Sequence, residues 1–420
     1  MTGEVVLDPG VVPQGVAPWR YAIDLDGDGA TDARGEAGTR TAVGYAFVAP
    51  GPHPIGIVLT RGVEAQSVEE VVVVNDPGKI EVLGSVELPT IDPMRDVFIG
   101  IAVDRSGQNL FVGGLRQTDL PVYTLDTSAL VVSDSVKLDM LQSHPEGLSA
   151  APDEDRLYVA GRQFDFTVLS TPELDVVHYF ERVIGQFAVL ALPNRRAYVG
   201  GVDNVNGLAL IDTQTGEILR QFRTDNPPQG TRNFALSPNR TQIALPTQGG
   251  EDGPDDLVLL GAEDLLPRWR VDLKAADTPG LPPGAVTIND GVAFSADGGR
   301  IYVMRLTLGV QGFGRMDFLV VDASGGQILR RMTIDRGCAS FSSCLSGPNT
   351  VAISADGRFA AFSTSAGVFF VDRVLDLPLH RSPFDQRGTY CCGTAANPIT
   401  EEFYFISLSQ ARVTKVRIRR

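Results

Sequence analysis

The sequence is poor in the residues that catalytic and metal sites use most often. It has only four histidines, four cysteines and two tryptophans in 420 residues. The histidines, His53, His144, His178 and His380, are scattered along the chain, which disfavours a multi-histidine copper centre. No Cys-x-x-Cys-His haem motif, phosphate-binding glycine loop or Gly-x-Ser-x-Gly elbow is present. The sequence therefore predicts no haem, copper or nucleotide cofactor.

Basic charge and long apolar runs are also scarce. Lysine and arginine number 36 against 51 aspartates and glutamates, for a net charge of −15. This balance argues against non-specific nucleic-acid binding and against anionic membranes. No apolar run approaches the length of a membrane span, and the first ten residues lack the basic start and apolar core of a signal peptide. We expect no nucleic-acid partner and no membrane insertion.

What the sequence does contain is a motif that recurs about seven times from residue 99 onwards. Each copy joins two short apolar stretches through a tight polar turn, which is the pattern of a β-hairpin. The copies recur about every 40 to 60 residues, a period typical of β-propellers. The copies are Gly100 to Gly114, Gly147 to Gly161, Ala188 to Gly201, Asn233 to Pro246, Gly291 to Met304, Thr350 to Ser363 and Cys392 to Ser407.

Seven copies predict an all-β fold, a seven-bladed β-propeller that spans residues 79–420. The last copy is followed by only one more strand, Ala411 to Arg420. The stretch Lys79 to Pro89 precedes the first copy and has no hairpin partner of its own. We expect it to complete the last blade as its outer strand, because joining both ends of the chain in one sheet closes the ring.

The repeats resemble the YVTN-type β-propeller repeat. The matching segments are RLYVAG at Arg156 to Gly161, AYVGG at Ala197 to Gly201 and RIYVM at Arg300 to Met304. The resemblance covers about residues 80 to 420 and implies the fold. It does not identify the function, because the same propeller fold occurs in proteins with many unrelated functions.

Residues 1–76 differ from the repeats and contain stretches of alternating apolar residues, which predict a small β-sandwich module ahead of the propeller. The segment Asp24 to Gly29 follows Tyr21, and Pro50-Gly51 precedes an alternating strand through Ile57. This order resembles a partial PKD domain, an immunoglobulin-like module of extracellular proteins. So few residues precede the aspartate turn that the first strand of the module is expected to be missing, as from a truncated start.

The aspartate turn offers a candidate calcium site. Asp24, Asp26, Asp28 and Asp32 alternate with glycines, and Ca²⁺ prefers such oxygen ligands. An EF-hand is not expected, because Gly35 stands where the closing glutamate would be and no flanking helix is indicated. Two readings stay open: a calcium site and a solvated acidic turn.

The four cysteines form two pairs in sequence, Cys338 with Cys344 and Cys391 with Cys392. Each pair precedes the inner strand of a blade, so both are expected on one face of the propeller in neighbouring blades. Structural disulfides are the first hypothesis, with unpaired thiols and a four-thiolate metal site as alternatives.

The functional surface expected from the repeats is the mouth of the central channel. One aligned position of each copy, here termed a mouth position, lies where the chain starts the inner strand. Several mouth positions are polar, and convergent polar groups at a concave site favour ligand binding. The mouth positions are Ile99, Glu146, Phe187, Arg232, Asp290, Asn349 and Tyr390, of which Glu146, Arg232, Asp290, Asn349 and Tyr390 are the predicted ligand-binding residues.

These observations favour a non-catalytic binding or scaffold protein, exported to the periplasm or the cell surface. Its partner is expected to be a protein or a glycan, recognised through one face of the propeller. A lactonase-like hydrolase with its active site at the channel mouth is the alternative, since Glu146, Asp290 and Asn349 are residue types it would use. A structural repeat within a larger surface layer is a third possibility.

Overall fold

The computed structural model describes 34 strands and the turns that join many of them. The description is limited to the ranges given next, and in several strands it covers only the backbone. The described residues are 2–7, 19–24, 33–37, 41–46, 51–61, 64–74, 80–90, 97–115, 121–138, 145–161, 166–180, 188–200, 207–223, 233–246, 256–273, 286–308, 314–336, 351–364, 367–374, 377–381, 393–407 and 411–418.

The chain divides into two compact units, Met1–Lys79 with Leu377–His380, and Ile80–Asp376 with Arg381–Arg420. The first unit contains two antiparallel sheets, β1-β4 and β3-β2-β5-β6. Two strands of this unit precede the aspartate turn: β1, which pairs with β4, and β2, which ends at Asp24. The strands of this unit are β1 Thr2–Leu7, β2 Trp19–Asp24, β3 Ala33–Ala37, β4 Thr41–Ala46, β5 Gly51–Arg61 and β6 Glu64–Val74.

All strands after residue 79 form seven antiparallel sheets of four strands each, which are the blades of the propeller. The outer strand of the seventh blade comes first in the chain, and blades one to three follow it. Their strands are β7 Ile80–Glu87; β8 Val97–Val103, β9 Asn109–Leu115, β10 Val122–Asp126, β11 Val131–Val136; β12 Pro145–Ala150, β13 Arg156–Gly161, β14 Phe166–Ser170, β15 Val176–Phe180; and β16 Ala188–Leu192, β17 Arg196–Gly200, β18 Gly207–Asp212, β19 Ile218–Arg223.

Blades four to seven repeat this arrangement, from an inner strand outwards. Their strands are β20 Ala235–Leu236, β21 Gln242–Pro246, β22 Asp256–Gly261, β23 Pro267–Asp272; β24 Val286–Phe294, β25 Arg300–Leu308, β26 Gly314–Asp322, β27 Ile328–Arg336; β28 Val351–Ile353, β29 Phe359–Thr364, β30 Gly367–Asp372, β31 Leu377–Arg381; and β32 Gly393–Ala396, β33 Glu402–Ser407, β34 Arg412–Ile418.

The seventh blade joins the two ends of the propeller sequence. Its strand order is β32-β33-β34-β7, and β7 pairs with β34 from Arg412↔Glu87 to Ile418↔Ile80. This is the closing position that the sequence indicated for Lys79 to Pro89. The all-β, seven-bladed propeller is confirmed, and the described residues contain no helix.

The hydrophobic core of the propeller consists of layers between neighbouring blades. The central strands of a blade are apolar on both faces, and successive side chains point to opposite faces, so each blade packs against both neighbours. In blade two, Leu157 and Val159 pack with blade one, whereas Tyr158 and Ala160 pack with blade three. Between blades two and three, for example, Phe166 and Val168 pack with Val199 and Ile211. The recurring apolar pattern of the motif therefore builds one layer per blade interface, and its turns lie outside the core.

The turn between the first and second strand of a blade is stabilised by a side-chain pair that recurs. In blade five, Ser295 Oγ donates a hydrogen bond of 2.6 Å to Asp297 and accepts one of 2.9 Å from the backbone N–H of Arg300. This explains the Ser-x-Asp sequence of the motif, because the pair satisfies turn groups that a strand ladder cannot reach. The same pair of residue positions is used by Ser237 with Asn239 and by Ser354 with Asp356.

The cysteine prediction falls outside the described residues. All four cysteines, Cys338, Cys344, Cys391 and Cys392, lie there, so their pairing stays a prediction. Within the described part of the chain, no helix is long and apolar enough to cross a bilayer.

Candidate binding face

The two faces of the propeller are built from different kinds of connection. The turn face holds the links between first and second strands and between third and fourth strands, which are short, as in 295–299 and 323–327 of blade five. The mouth face holds the links between second and third strands and between blades. These vary in length, from 365–366 to 337–350. Variation in link length is thus concentrated on the mouth face, and variable connections on a rigid scaffold are the usual location of binding residues.

The mouth positions coincide with β-bulges in three blades. The pairing of the inner strand with the second strand skips one residue, and that residue is Ile99 in blade one, Glu146 in blade two and Asp290 in blade five. A β-bulge bends its strand and redirects the side chain of the extra residue, and bulges are frequent beside functional sites. The same interruption of strand pairing therefore recurs in three blades, and each time the mouth position lies outside the regular hydrogen-bond ladder.

A sequence signal for these bulges existed and was missed. In each case the extra residue is followed by a glycine, Gly100, Gly147 or Gly291. A glycine inside a strand pattern indicates a bulge or a close approach of another chain segment. At Gly291 a side-chain Cβ would lie 2.9 Å from both Phe362 and Val351 of blade six, so the position has no room for one.

Blade five has longer strands than its neighbours at the mouth end. Its strands β24 to β27 each have nine residues, while the corresponding strands of blade two have five or six. The turns at the other end have the same length in both blades, so the additional residues extend the sheet on the mouth face. At about 3.3 Å per residue, three residues extend it by about 10 Å. On β24 the extension is Val286 to Ile288, which comes just before Asp290 in the chain.

Buried charges lie at the base of the blade-five extension. Arg305 and Asp317 are register partners on β25 and β26, and both side chains are fully buried. Arg305 Nη1 donates a 2.7 Å hydrogen bond to the backbone carbonyl of Leu273, and Arg331 forms a 2.7 Å ion pair with Asp317. Because buried charges are costly unless they are paired and hydrogen-bonded, this network holds the extension in one arrangement. Neither residue was identified by sequence analysis.

The central channel is lined mainly by apolar side chains, whereas several of the mouth positions are polar. It encloses about 300 Å³ and is lined by inner-strand residues, mostly alanine, valine, isoleucine and leucine. The polar side chains among its described lining residues are Ser149 and Thr394. Ser149 Oγ accepts a hydrogen bond of 2.9 Å from the backbone N–H of Ala191 in the next blade, so this hydroxyl has a structural role. The described lining shows no nucleophile beside a base.

The structure places the predicted ligand-binding residues unevenly. Glu146 and Asp290 lie on inner strands in blades two and five, with only their backbones described. In the order of the ring these two blades are not neighbours, so the two positions lie across the mouth from each other. Three predicted residues lie outside the described part of the chain: Arg232, Asn349 and Tyr390.

The calcium prediction is likewise only partly covered. Asp24 ends strand β2 and is half-buried, whereas Asp26, Asp28 and Asp32 lie outside the described residues. Among the side chains that are described, no group of three or more potential ligands is placed to hold a metal ion. The calcium site therefore stays a prediction.

Ionisable groups on the turn face have shifted pKa values with structural causes. The hydroxyl of Ser128 donates to Asp126, that of Ser295 to Asp297 and that of Ser324 to Asp322. These hydrogen bonds are the largest cause that lowers the pKa of each aspartate. Burial raises the pKa of Tyr198, Tyr302 and Tyr404 in the motif to about 12. These shifts belong to groups that hold turns and blades together.

Comparison with known proteins supports the fold and leaves the function open. No protein-family model matches the chain, and no curated protein matches it by sequence. Among solved structures, a chain of Kuenenia stuttgartiensis hydrazine synthase matches with a TM-score of 0.60 and 16% identity, over 80% of this chain and 99% of that one. The β-propeller domain of Cps50 (Swd1) from Myceliophteria thermophila matches with a TM-score of 0.50 and 11% identity, over 81% and 100%. At such low sequence identities the similarity shows the propeller fold alone and does not indicate a shared function.

Proposed function

We propose that this protein is a non-catalytic binding or scaffold protein that recognises a protein or glycan partner through the mouth face of its propeller. The observation that carries the proposal is the repeated bulge at Ile99, Glu146 and Asp290. A bulge redirects the side chain of the extra residue, and bulges are frequent beside functional sites, so the same interruption in three blades favours a role for the mouth. The extension of blade five adds contact surface on the same face.

The finer features of the proposal rest on sequence. The repeats resemble the YVTN type, and residues 1–76 resemble a partial PKD module, which favours export to the periplasm or cell surface. In the same context, Ca²⁺ held by Asp24, Asp26, Asp28 and Asp32 would stabilise the N-terminal unit. Chelation should then lower its unfolding temperature, and Asp26→Asn should remove that sensitivity. An unfolding temperature of the native chain that is indifferent to added Ca²⁺ would reject the site.

The partner proposal is tested by screening the immobilised full chain against protein and glycan arrays. Binding to each hit is then measured with Glu146→Arg, Asp290→Arg and Arg232→Glu variants. We expect affinity to fall at least about tenfold, largely through a slower association rate, if these charges are part of the contact. Matched controls are Glu173→Arg and Glu217→Arg, which make the same charge change at exposed positions of the turn face.

Equal losses in the mouth-face and turn-face variants would contradict the proposal, because they would reflect net charge alone. The hydrolase alternative is examined in the same preparation with lactones, esters and phosphoesters. Turnover that Glu146→Gln or Asp290→Asn abolishes would replace the binding proposal with a catalytic one.

A further inference from the structure

A small cavity lies between blades two and three, on the turn side and apart from the channel. It encloses about 90 Å³, the volume of about three water molecules in the liquid. Blade two contributes Glu154, Arg156 and His178 to its lining, and blade three contributes Arg195 and Gln214. Charged and hydrogen-bonding side chains therefore converge on a space that is suited to a few non-hydrogen atoms.

The polar wall of the cavity is held by a chain of contacts across the two blades. Tyr158 Oη donates a 2.9 Å hydrogen bond to Glu154 Oε1 and accepts one of 3.1 Å from the hydroxyl of Thr213. Arg195 Nε lies 3.6 Å from Glu154 Oε2, and its Nη1 donates a 3.0 Å hydrogen bond to Gln214. Both charged groups are thus oriented before any ligand arrives, which lowers the entropy cost of binding.

The charges of the wall favour a monoanion. Arg156 and Arg195 are two guanidinium groups, and Glu154 is one carboxylate, so the fixed lining carries one net positive charge. Arg156 Nη1 donates a 2.9 Å hydrogen bond to the backbone carbonyl of Asp155, which positions its planar fork. Guanidinium groups match a carboxylate with two parallel hydrogen bonds. A dianion such as phosphate is disfavoured by the neighbouring Glu154.

The opposite wall is aliphatic. Val168 and Val177 line the cavity, and Val168 is the register partner of His178. The side chains of a register pair point to the same face of the sheet, which here is the face packed against blade three. A ligand with a carboxylate at one end and a methyl or short chain at the other would satisfy both walls.

A histidine lines the cavity from the outer strand of blade two. The residue that follows the outer-strand bulge is His178 in blade two and Trp269 in blade four. Trp269 packs on Gly326 of the next blade and donates a 2.9 Å hydrogen bond to the carbonyl of Ala323. In blade two the equivalent glycine of the next blade, Gly216, is covered by Phe180, which stacks on His178 with 5.9 Å between ring centroids.

We propose that the cavity between blades two and three binds a short-chain monocarboxylate. The guanidinium groups of Arg156 and Arg195 hold its carboxylate, and its short tail packs on Val168 and Val177. This site is independent of the mouth face and does not depend on the function proposed for that face.

The test is a ligand-observed NMR titration of the full chain with lactate, its neutral isostere lactamide and inorganic phosphate. We expect saturable binding of lactate, with lactamide and phosphate at least about tenfold weaker. Arg156→Gln and Arg195→Gln should each weaken lactate binding about tenfold or more. Arg240→Gln is the matched control, because Arg195 and Arg240 are both exposed turn arginines with positive φ, 57° and 58°.

His178→Trp provides a second variant that does not remove a charge. The larger indole should fill the cavity and abolish lactate binding, and the unfolding temperature checks that the variant is folded. Lactamide or phosphate binding as tight as lactate would overturn the proposal, as would lactate binding that survives His178→Trp. The absence of saturable lactate binding to the native chain would overturn it as well.

Discussion

The hydroxyl of Tyr198 in blade three donates a 2.6 Å hydrogen bond to the backbone carbonyl of Ala262 in blade four. Both residues are buried. The tyrosine of the motif makes an equivalent contact from blade five to blade six, where Tyr302 Oη donates to the carbonyl of Arg373 at 3.1 Å. The aromatic residue that marks the motif in sequence is therefore a link between neighbouring blades, and it explains why the hydroxyl recurs.

Replacing Tyr198 with phenylalanine should destabilise the propeller by about 1 to 2 kcal/mol, because the buried carbonyl of Ala262 loses its partner. The free energy of unfolding, measured with chemical denaturant, checks this value. Val131→Ala is the control, since Val131 is 51% exposed and its truncation should change stability by less than about 0.5 kcal/mol. A Tyr198→Phe effect as small as that of the control would show that this hydrogen bond makes no net contribution to the free energy of unfolding.

The fold was predictable from sequence because it rests on short-range patterns that repeat. A hairpin turn and two apolar strands are local features, and seven copies at a regular period specify a ring. The closing strand β7 could be placed because the last copy lacked one strand. The bulges could not be placed as easily, since a bulge is a shift in pairing between two strands and leaves only one glycine, such as Gly291, in the sequence.

Blade one contains an inverted version of the turn found in blade five. Asp104 stands where blade five has Ser295, and Ser106 stands where it has Asp297. The Ser106 hydroxyl donates to Asp104 at 2.8 Å, and Asp104 also accepts from the backbone N–H of Gln108 at 3.0 Å. The exchange of serine and aspartate has kept the hydrogen bond between the two positions.

This inversion predicts that the pair can be exchanged. Asp104→Ala should destabilise the propeller by about 2 kcal/mol, because Asp104 is a buried acceptor for several turn donors. The double variant Asp104→Ser with Ser106→Asp restores the order of blade five and should lose less than about 1 kcal/mol. Thermal or chemical unfolding distinguishes the two. A double variant that is less stable than Asp104→Ala would contradict the equivalence of the turns.

The turn aspartates should make the propeller sensitive to acid. Hydroxyl donation from Ser128, Ser295 and Ser324 lowers the pKa values of Asp126, Asp297 and Asp322 in the folded state. In the unfolded chain an aspartate has a pKa of about 3.9. Their contribution is therefore fully present above that pH and is lost as the pH falls through it towards the lower folded values.

The measurement is the free energy of unfolding between pH 7 and pH 3, compared for the native chain and Ser324→Ala. Without the hydroxyl the pKa of Asp322 should rise towards its usual range, so the loss of stability in acid should become shallower. The pKa of Asp322 by NMR is the direct readout. A pKa that does not change in Ser324→Ala would refute the assigned cause.

Ring closure includes a buried charge cluster between blades seven and one. Lys415 Nζ donates a 2.8 Å hydrogen bond to the backbone carbonyl of Thr127 and lies 3.2 Å from Glu402, which Arg417 also contacts at 2.7 Å. Lys415→Met should cost about 2 kcal/mol, less than the 3 to 5 kcal/mol of a fully broken buried pair, because Arg417 still neutralises Glu402. Arg412→Met, at a more exposed ion pair of the same strand, should cost less than about 1 kcal/mol. Equal effects in unfolding experiments would contradict a closing role for Lys415.

The candidate site was less predictable than the fold, for a physical reason. Sequence alignment of the repeats placed Glu146 and Asp290 at equivalent positions, and the bulges show that they are structurally equivalent. The buried pair Arg305 and Asp317 gave no such signal, because each residue lies alone in an apolar strand and meets its partner only through the register of β25 and β26. The cavity at Arg156 and Arg195 arises between blades, where no local pattern operates.

Two glycines of the seventh blade differ sharply in what surrounds them. A Cβ at Gly393, in inner strand β32, would lie 2.8 Å from the backbone carbonyl of Ile99, the bulged mouth residue of blade one. A Cβ at Gly84, in outer strand β7, would meet only Leu130 at an ordinary 3.7 Å. The absence of a side chain at Gly393 thus allows two blades to approach at the mouth, where the ring closes.

Gly393→Ala should destabilise the propeller by about 1 to 3 kcal/mol, because the clash is with backbone that must move as a whole. Gly84→Ala should be neutral or stabilising by up to about 1 kcal/mol, since it restricts the unfolded chain without a clash. Both variants carry the same Gly→Ala substitution, so their free energies of unfolding in denaturant can be compared directly. If Gly393→Ala were as stable as Gly84→Ala, the close approach of blades seven and one at Ile99 would not constrain the ring.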